Sequence, residues 1–276
     1  MGMDWSSLPK LGVGLGYRRE LHKECLGHRD RIDWLELIAD HYLSPLPEWA
    51  EEAAELSQQM PVVPHGLELS VGSHEPVDAA YCRAAAKLVA LTKAPFYTDH
   101  LCMTRAGGLE MGQLTPLPFT RSTARRCAEH ARQIQDQLGV PFLLENVFYS
   151  FSFPGEMSEL QFLQEVIGQA GCGMLLDLTN LFLNSQNHGY DPYAFIDGLP
   201  LDRVVQVHLA GSERRRDLWI DTHSQPIDSH PEVWELLRYL VSKAPVKAVL
   251  IERDQNFPQD FGEILADLDK ARAILG

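Results

Sequence analysis

Apolar positions in this chain fall into short, nearly unbroken runs at 11–17, 34–39, 62–67, 96–101, 142–147, 174–178, 204–209 and 248–252. Runs this short and this continuous are what strands covered on both faces show. Between them the apolar residues recur every three or four positions, predicting helices over 77–92, 120–138, 156–170, 232–243 and 259–274. Ser158 and Glu159 mark one helix start, and Asp191-Pro192 opens a shorter helix. Strands that alternate with helices pair in parallel through crossovers. Eight such units close into a (β/α)₈ barrel, an α/β TIM barrel expected here as one domain over 1–276. One non-helical stretch, 101–119, follows the fourth run, and an insertion of that length in a barrel is usually functional.

A barrel of this kind carries its chemistry where its strands end, because the loops there form the catalytic face. The polar residues at those ends are His65, Asp99, His100, Glu145, Asn146, Asp177, Asn180, His208 and Glu252. The loop after the seventh strand adds Asp221-Thr222-His223, whose first and third residues project to one side if the backbone is extended. Any one of these has a bland reading. A lone histidine is more often a hydrogen-bonded structural residue, a buried carboxylate pairs with arginine, and Asn146 or Asn180 caps a turn. Their coincidence at six of the eight strand ends changes the balance. So many charges cannot be buried together without compensation. Imidazole and carboxylate without thiolate suit iron, manganese or zinc. The set exceeds the three or four ligands of one catalytic zinc, which suggests two or three metals sharing a carboxylate, with Glu145 the reasonable bridge.

The remaining features are weaker. Gly12-Val13-Gly14-Leu15-Gly16 lacks the spacing of a phosphate loop and reads as a strand closely approached by ligand or backbone. Arg214-Arg215-Arg216 is a solvated turn or a clamp for an acidic group. Arg253 is a candidate partner for a ligand carboxylate. Glu36, Asp40 and His41 are read as substrate-contacting or supporting residues, and the remaining six histidines as surface or loop residues.

Composition narrows the partners. The net charge is −14, against nucleic acid as the main ligand. The five cysteines are scattered without a C-x-x-C pair, which points to a reduced cytoplasmic protein, and none is read as a nucleophile. Met1-Gly2-Met3-Asp4-Trp5 lacks the pattern of a signal peptide, and no apolar stretch is long enough to span a membrane.

The motifs Gly12–Arg18, Pro64-His65-Gly66-Leu67-Glu68-Leu69-Ser70-Val71-Gly72, Thr98-Asp99-His100-Leu101, Leu144-Glu145-Asn146, Leu176-Asp177-Leu178-Thr179-Asn180, Val207-His208-Leu209-Ala210-Gly211, Ile220-Asp221-Thr222-His223 and Ile251-Glu252-Arg253-Asp254 occur in this order. The series resembles the multinuclear non-haem iron-dependent oxidative enzymes, the group that includes the methanobactin-biosynthesis oxygenase and a thiaglutamate-pathway enzyme. The resemblance implies a (β/α)₈ barrel with two or three irons and O₂ as co-substrate. His65, His100, Glu145, Asp177, Asn180, His208, Asp221, His223 and Glu252 would be the ligands, with Glu145, Asp177 and His208 central to catalysis. The substrate would be a cysteine-containing, ribosomally made precursor peptide, often presented by a small partner protein. Other metal-dependent barrels, the sugar isomerases and endonucleases, are the alternative class. A metal-stabilised binding protein is a third.

Overall fold

The computed structural model describes residues 4–44 and 46–276; Met1, Gly2 and Met3, on which part of the signal-peptide expectation falls, lie outside it. Eight parallel strands form a closed barrel: β1 (Gly12–Gly16), β2 (Leu35–Ile38), β3 (Val62–Gly66), β4 (Tyr97–His100), β7 (Phe142–Glu145), β8 (Gly173–Asp177), β9 (Val204–Arg215) and β11 (Ala248–Glu252). The ring closes where β9 pairs with both β8 and β11. The 101–119 insertion is a separate antiparallel hairpin, β5 (Met103–Ala106) and β6 (Leu109–Thr115). A further strand, β10 (Leu218–Gln225), runs back antiparallel to the end of β9.

The helices are α1 (His22–Gly27), α2 (Ala39–Tyr42), α3 (Pro47–Gln59), α4 (Ala79–Thr92), α5 (Arg121–Leu138), α6 (Glu159–Ala170), α7 (Leu178–His188), α8 (Pro192–Gly198), α9 (Glu232–Val241) and α10 (Gly262–Leu275). Ser158 caps α6 in a reciprocal capping box with Gln161, so the helix begins after it and not at 156. Asp78 and Thr120 likewise cap α4 and α5.

Strand alternation explains what fills the barrel. Successive side chains point to opposite faces, so every second residue faces the axis. Trp34, Val63, Phe96, Leu143, Leu175, Val205 and Leu250 belong to one buried apolar cluster, distinct from the larger core between strands and helices. They plug the barrel below its mouth. Two residues further along, the same face carries Glu36, His65, Thr98, Glu145, Asp177 and Glu252, and on β4 one more step reaches His100. On β9 the pairing with β8 jumps from Val204 to Gln206, a bulge that skips Val205. The inward face therefore shifts, and Gln206 and His208 point to the axis.

Gly14 sits level with the plug. A Cβ there would lie 2.5 Å from the Trp34 indole, so this glycine admits a side chain of the plug and not, as the sequence suggested, a ligand or backbone. Gly14→Ala is expected to lose about 1–3 kcal/mol of stability by overpacking. An unchanged midpoint in denaturant unfolding would rule this out.

Candidate functional site

The mouth of the barrel holds a cavity of about 450 Å³, walled by His65, His100, Glu145, Asn180, Asp221, His223 and Glu252 together with Arg18 and Asp254. Parallel register sets the spacing of this ring. His100 is paired with Glu145 across β4 and β7, and Asp177 with His208 across β8 and β9. The β5–β6 hairpin contributes Gln113 and Leu114 to the cavity wall, which is the position found for the long insertion.

Glu145 lies at the centre. Its Oε2 is 3.4 Å from His65 Nε2 and 3.3 Å from His100 Nε2, and its Oε1 is 3.6 Å from His208 Nδ1. His208 Nδ1 is also 3.2 Å from Glu252 Oε2. On the far side, His223 Nδ1 is 3.3 Å from Glu252 Oε2, and its Nε2 is 3.8 Å from Asp177 Oδ2 and 2.8 Å from Asp221 Oδ1. Three overlapping buried groups thus have geometry that could hold a cation: His65, His100 and Glu145; Glu145, Asp177 and His208; Asp177, His223 and Glu252. A fourth group is Glu36, His208 and Glu252.

His223 reaches this position through an unusual backbone. It has φ +44°, in the left-handed region, where the β9–β10 register is irregular. The strain is held by the backbone bond from Asp254 N–H to the His223 carbonyl, 2.8 Å. Asp177 has a second duty as N-cap of α7, accepting from Asn180 N–H at 2.7 Å, which brings Asn180 to the rim on the first turn of that helix. Asn146 bonds the backbone on both sides of Asp177, at 2.9 Å each, and so serves as a strand tie.

The buried polar atoms test whether these residues fit metal ions. Glu145 Oε2, Asp177 Oδ2, Asn180 Oδ1, His208 Nδ1 and His223 Nε2 are fully buried and make no aligned hydrogen bond, even though Asp221 Oδ1 lies 2.8 Å from His223 Nε2. Buried polar groups are almost always bonded. Five bare donors gathered in one ring are what coordination would satisfy. Charge points the same way. Glu36, Glu145, Asp177, Asp221, Glu252 and Asp254 converge, and among the described residues Arg18 is the one arginine or lysine that pairs with any of them, bonding Glu252 at 3.2 Å and also Asp254.

Protonation responds accordingly. Burial pushes Asp177 well above the usual carboxylate range, against the attraction of His223. Burial also opposes charge on His208 and His223, but the carboxylates around them, Glu36 and Glu145 for His208 and Asp221 and Glu252 for His223, outweigh it and raise both. Burial disfavours the Glu145 carboxylate too, yet His100, His208 and His65 hold it at about 2. The surrounding carboxylates thus favour protons on His208 and His223, a compensation that a bound cation would supply instead.

All nine sequence-derived ligand candidates face this one mouth. Asp99 does not: its carboxylate turns outward to Leu69 N–H and His100 N–H. Arg253 also departs from expectation, since its guanidinium bonds the carbonyls of Ser224 and Asn256 and pairs with Glu263 instead of a ring carboxylate; Arg18 does that work. Arg214 and Arg215 are exposed at the tip of the β9–β10 hairpin, the solvated turn. His230 is buried, not superficial, and stacks on Phe182. All five cysteines are buried and free, and none lines the cavity.

One contributor, Gln206, escaped the sequence reading of strand ends, while Glu36, expected as a supporting or substrate-contacting residue, stands beside it behind His208. Gln206 faces inward only because of the bulge. Its amide donates to Glu36 Oε2, and its nitrogen lies 2.8 Å from His208 Nε2. Glu36 Oε2 is itself 3.1 Å from that ring nitrogen. A carboxylate holds a ring proton more firmly than a neutral acceptor does. Glu36 favours a proton on Nε2, with Nδ1 left to face Glu145 and Glu252, whereas the Gln206 amide nitrogen, a donor, favours Nε2 bare.

A closed barrel whose mouth gathers four histidines, a ring of carboxylates and bare donor atoms defines an α/β-barrel protein able to hold metal ions at its catalytic face. The sequence matches, over residues 12–276, the family described as RiPP precursor modification enzyme MbnB/TglH/ChrH. It is 34% identical over 269 residues to a UPF0276 protein of Rhizorhabdus wittichii, covering 97% of this chain and 96% of that one. It is 35% identical over 266 residues to a UPF0276 protein of Pseudomonas aeruginosa, covering 95% and 92%. The chain belongs to the MbnB/TglH/ChrH family of precursor-peptide modification enzymes. The fold is similar to that of a D-tagatose 3-epimerase-like protein (TM-score 0.65, 15% identity, 96% of this chain and 98% of that one) and of endonuclease IV from Thermus thermophilus (TM-score 0.58, 17% identity, 96% and 98%). At these identities the likeness is one of fold alone.

Proposed function

We propose that this chain is an iron- and O₂-dependent enzyme that oxidatively modifies a cysteine in a ribosomally made precursor peptide. The observation that carries the reading is the ring of mutually facing, unbonded donors around Glu145 in a chain of this family. His65, His100, Glu145, Asp177, Asn180, His208, Asp221, His223 and Glu252 would hold the irons. Glu145 would be shared, because it belongs to two of the clusters. Iron, once bound, supplies thiolate binding and one-electron oxidation by O₂, chemistry that no side chain here provides. The chain's own residues shape the rest. The cavity of about 450 Å³ admits a side chain with its flanking backbone, and Leu67, Val147 and Phe148 give it an apolar wall that limits water. Family membership makes a peptide the substrate. Delivery by a small partner protein and a cytoplasmic setting belong to the same proposal. Among the described residues no helix is long and apolar enough to cross a membrane.

The test is metal analysis and oxygen uptake on anaerobically purified protein, followed by the mass change of a cysteine-containing peptide. Iron, oxygen consumption and a peptide mass change together support the reading. Bound zinc or manganese with activity in the absence of oxygen would replace it with an isomerase or hydrolase.

The Glu36 contact yields a separate prediction. Glu36→Gln removes the carboxylate that orients His208 without changing its shape. Iron affinity, measured by chelator competition, is expected to fall about 10–100-fold, the range seen when a partner behind a metal-bound histidine is lost. An unchanged affinity would remove Glu36 from this role.

A further inference from the structure

The metal cavity is not closed on all sides. It shares Arg18, Ile38 and Asp254 with a second cavity of similar size, about 450 Å³, that leads outward between the loops after β1, β2 and β11. The walls of this groove are aromatic: His41, Tyr42, Trp49 and Phe257. Tyr42 packs edge-on to Trp49, with ring centroids 5.5 Å apart, which fixes the wall. The groove in turn shares Tyr17, Arg19 and Glu20 with a shallower trough between α1 and α3. The three spaces adjoin in series between the metal-capable ring and the surface, each sharing wall residues with the next.

The far end of this series is strongly acidic. Glu52 is already satisfied, accepting from Tyr17 Oη at 2.9 Å and Tyr42 Oη at 3.3 Å and pairing with Arg19. Glu20, Glu24, Glu48, Glu51 and Glu55 also border the trough and take part in no ion pair among the described residues. The cations beside them are Lys23 and Arg19, and Arg19 is held by Glu52 and lies 3.7 Å above the Trp49 ring. With Trp49 already covered by Arg19, the rings of Tyr42 and Phe257 followed by unneutralised carboxylates favour guanidinium and ammonium groups, through cation–π attraction and charge complementarity.

We propose that this series of spaces seats the segment of precursor peptide flanking the modified residue, and that this segment carries lysine or arginine. The inference rests on the peptide-modifying reading above and specifies its substrate. The occupant is a peptide because these spaces adjoin the metal cavity in series, at the side from which a chain bearing the modified residue would lead away. It is basic because the series ends in glutamates with no partner of their own.

The experiment uses three capped heptapeptides: Gly-Cys-Gly-Gly followed by Lys-Arg-Lys, by Glu-Asp-Glu or by Ser-Asn-Ser. Binding to the full iron-loaded chain is measured by calorimetry at low and at high salt. The basic peptide is expected to bind about 10-fold tighter than the acidic one at low salt, the scale of a few exposed charge pairs, with the gap narrowing as salt rises. Charge reversal in the trough, Glu51→Lys with Glu55→Lys, is expected to bring the two within about 2-fold. The same reversal elsewhere, Glu129→Lys with Asp136→Lys on α5, is expected to leave the preference in place. Equal loss in both double variants would mean that the basic peptide answers only to the net charge of −14 and would overturn the proposal, as would equal binding of the three peptides. Replacing the probe's cysteine with serine separates this inference from the one it rests on. Failure of the thiol–iron reading leaves the basic preference intact, and failure of the groove abolishes that preference in both probes.

Discussion

Glu145→Ala is expected to empty the ring of iron. The carboxylate touches His65, His100 and His208 and belongs to two of the clusters that could hold a cation, so its removal breaks both. Loss of an outer partner alone costs about 10–100-fold in metal affinity, and loss of a shared ligand is expected to exceed about 100-fold. Iron per chain after anaerobic loading and desalting, and oxygen uptake with a cysteine peptide, should fall together. Glu145→Gln is the sharper companion, because it keeps the shape and removes the charge. Full iron retention in both variants would refute the bridging role of Glu145.

The second large effect concerns stability. In the metal-free chain several buried acids share one ring, and they favour protons on His208 and His223 as compensation. Such an arrangement is expensive to maintain. Ferrous iron under anaerobic conditions should therefore stabilise the fold by mass action, by about 2.7 kcal/mol when free iron is one hundred times Kd. For a chain of this size that corresponds to a rise of about 5 °C in Tm for each site filled. A chelator should reverse it, and Glu145→Ala should lose it. A melting temperature indifferent to iron in the native chain would show that the ring is satisfied without an ion.

The barrel was legible because its strands are apolar on both faces and six of the eight carry a polar group at the end that becomes the mouth. His65, His100, Glu145, Asp177 and Glu252 follow from that alone. The elements that escaped did so for identifiable reasons. Helix α7 is buried on all sides from Leu178 to Ser185, so it shows no alternation of faces to read. Helix α3 buries mainly Ala53 and Leu56, too little apolar surface to mark a stripe. Strand β9 runs six residues past Leu209, to Arg215, because it continues into a hairpin, and Asp221 and His223 stand on the returning strand β10, not on a loop. The supporting groups were the hardest to see. Gln206 is turned inward by a one-residue bulge, and Arg18 reaches Glu252 and Asp254 across the whole length of the sequence. Pairings of that kind are set by closure of the barrel and leave no local trace.

The central claim is that iron ions hold this ring together, and diffraction at the iron absorption edge from crystals of anaerobically iron-loaded protein tests it most directly. The account predicts anomalous peaks between His65, His100 and Glu145 and among Asp177, His208, His223 and Glu252, each within bonding distance of the bare atoms named above. Crystals of fully iron-exposed protein with no peak in the ring, and with those carboxylates joined instead to arginine, lysine or one another's protons, would contradict it.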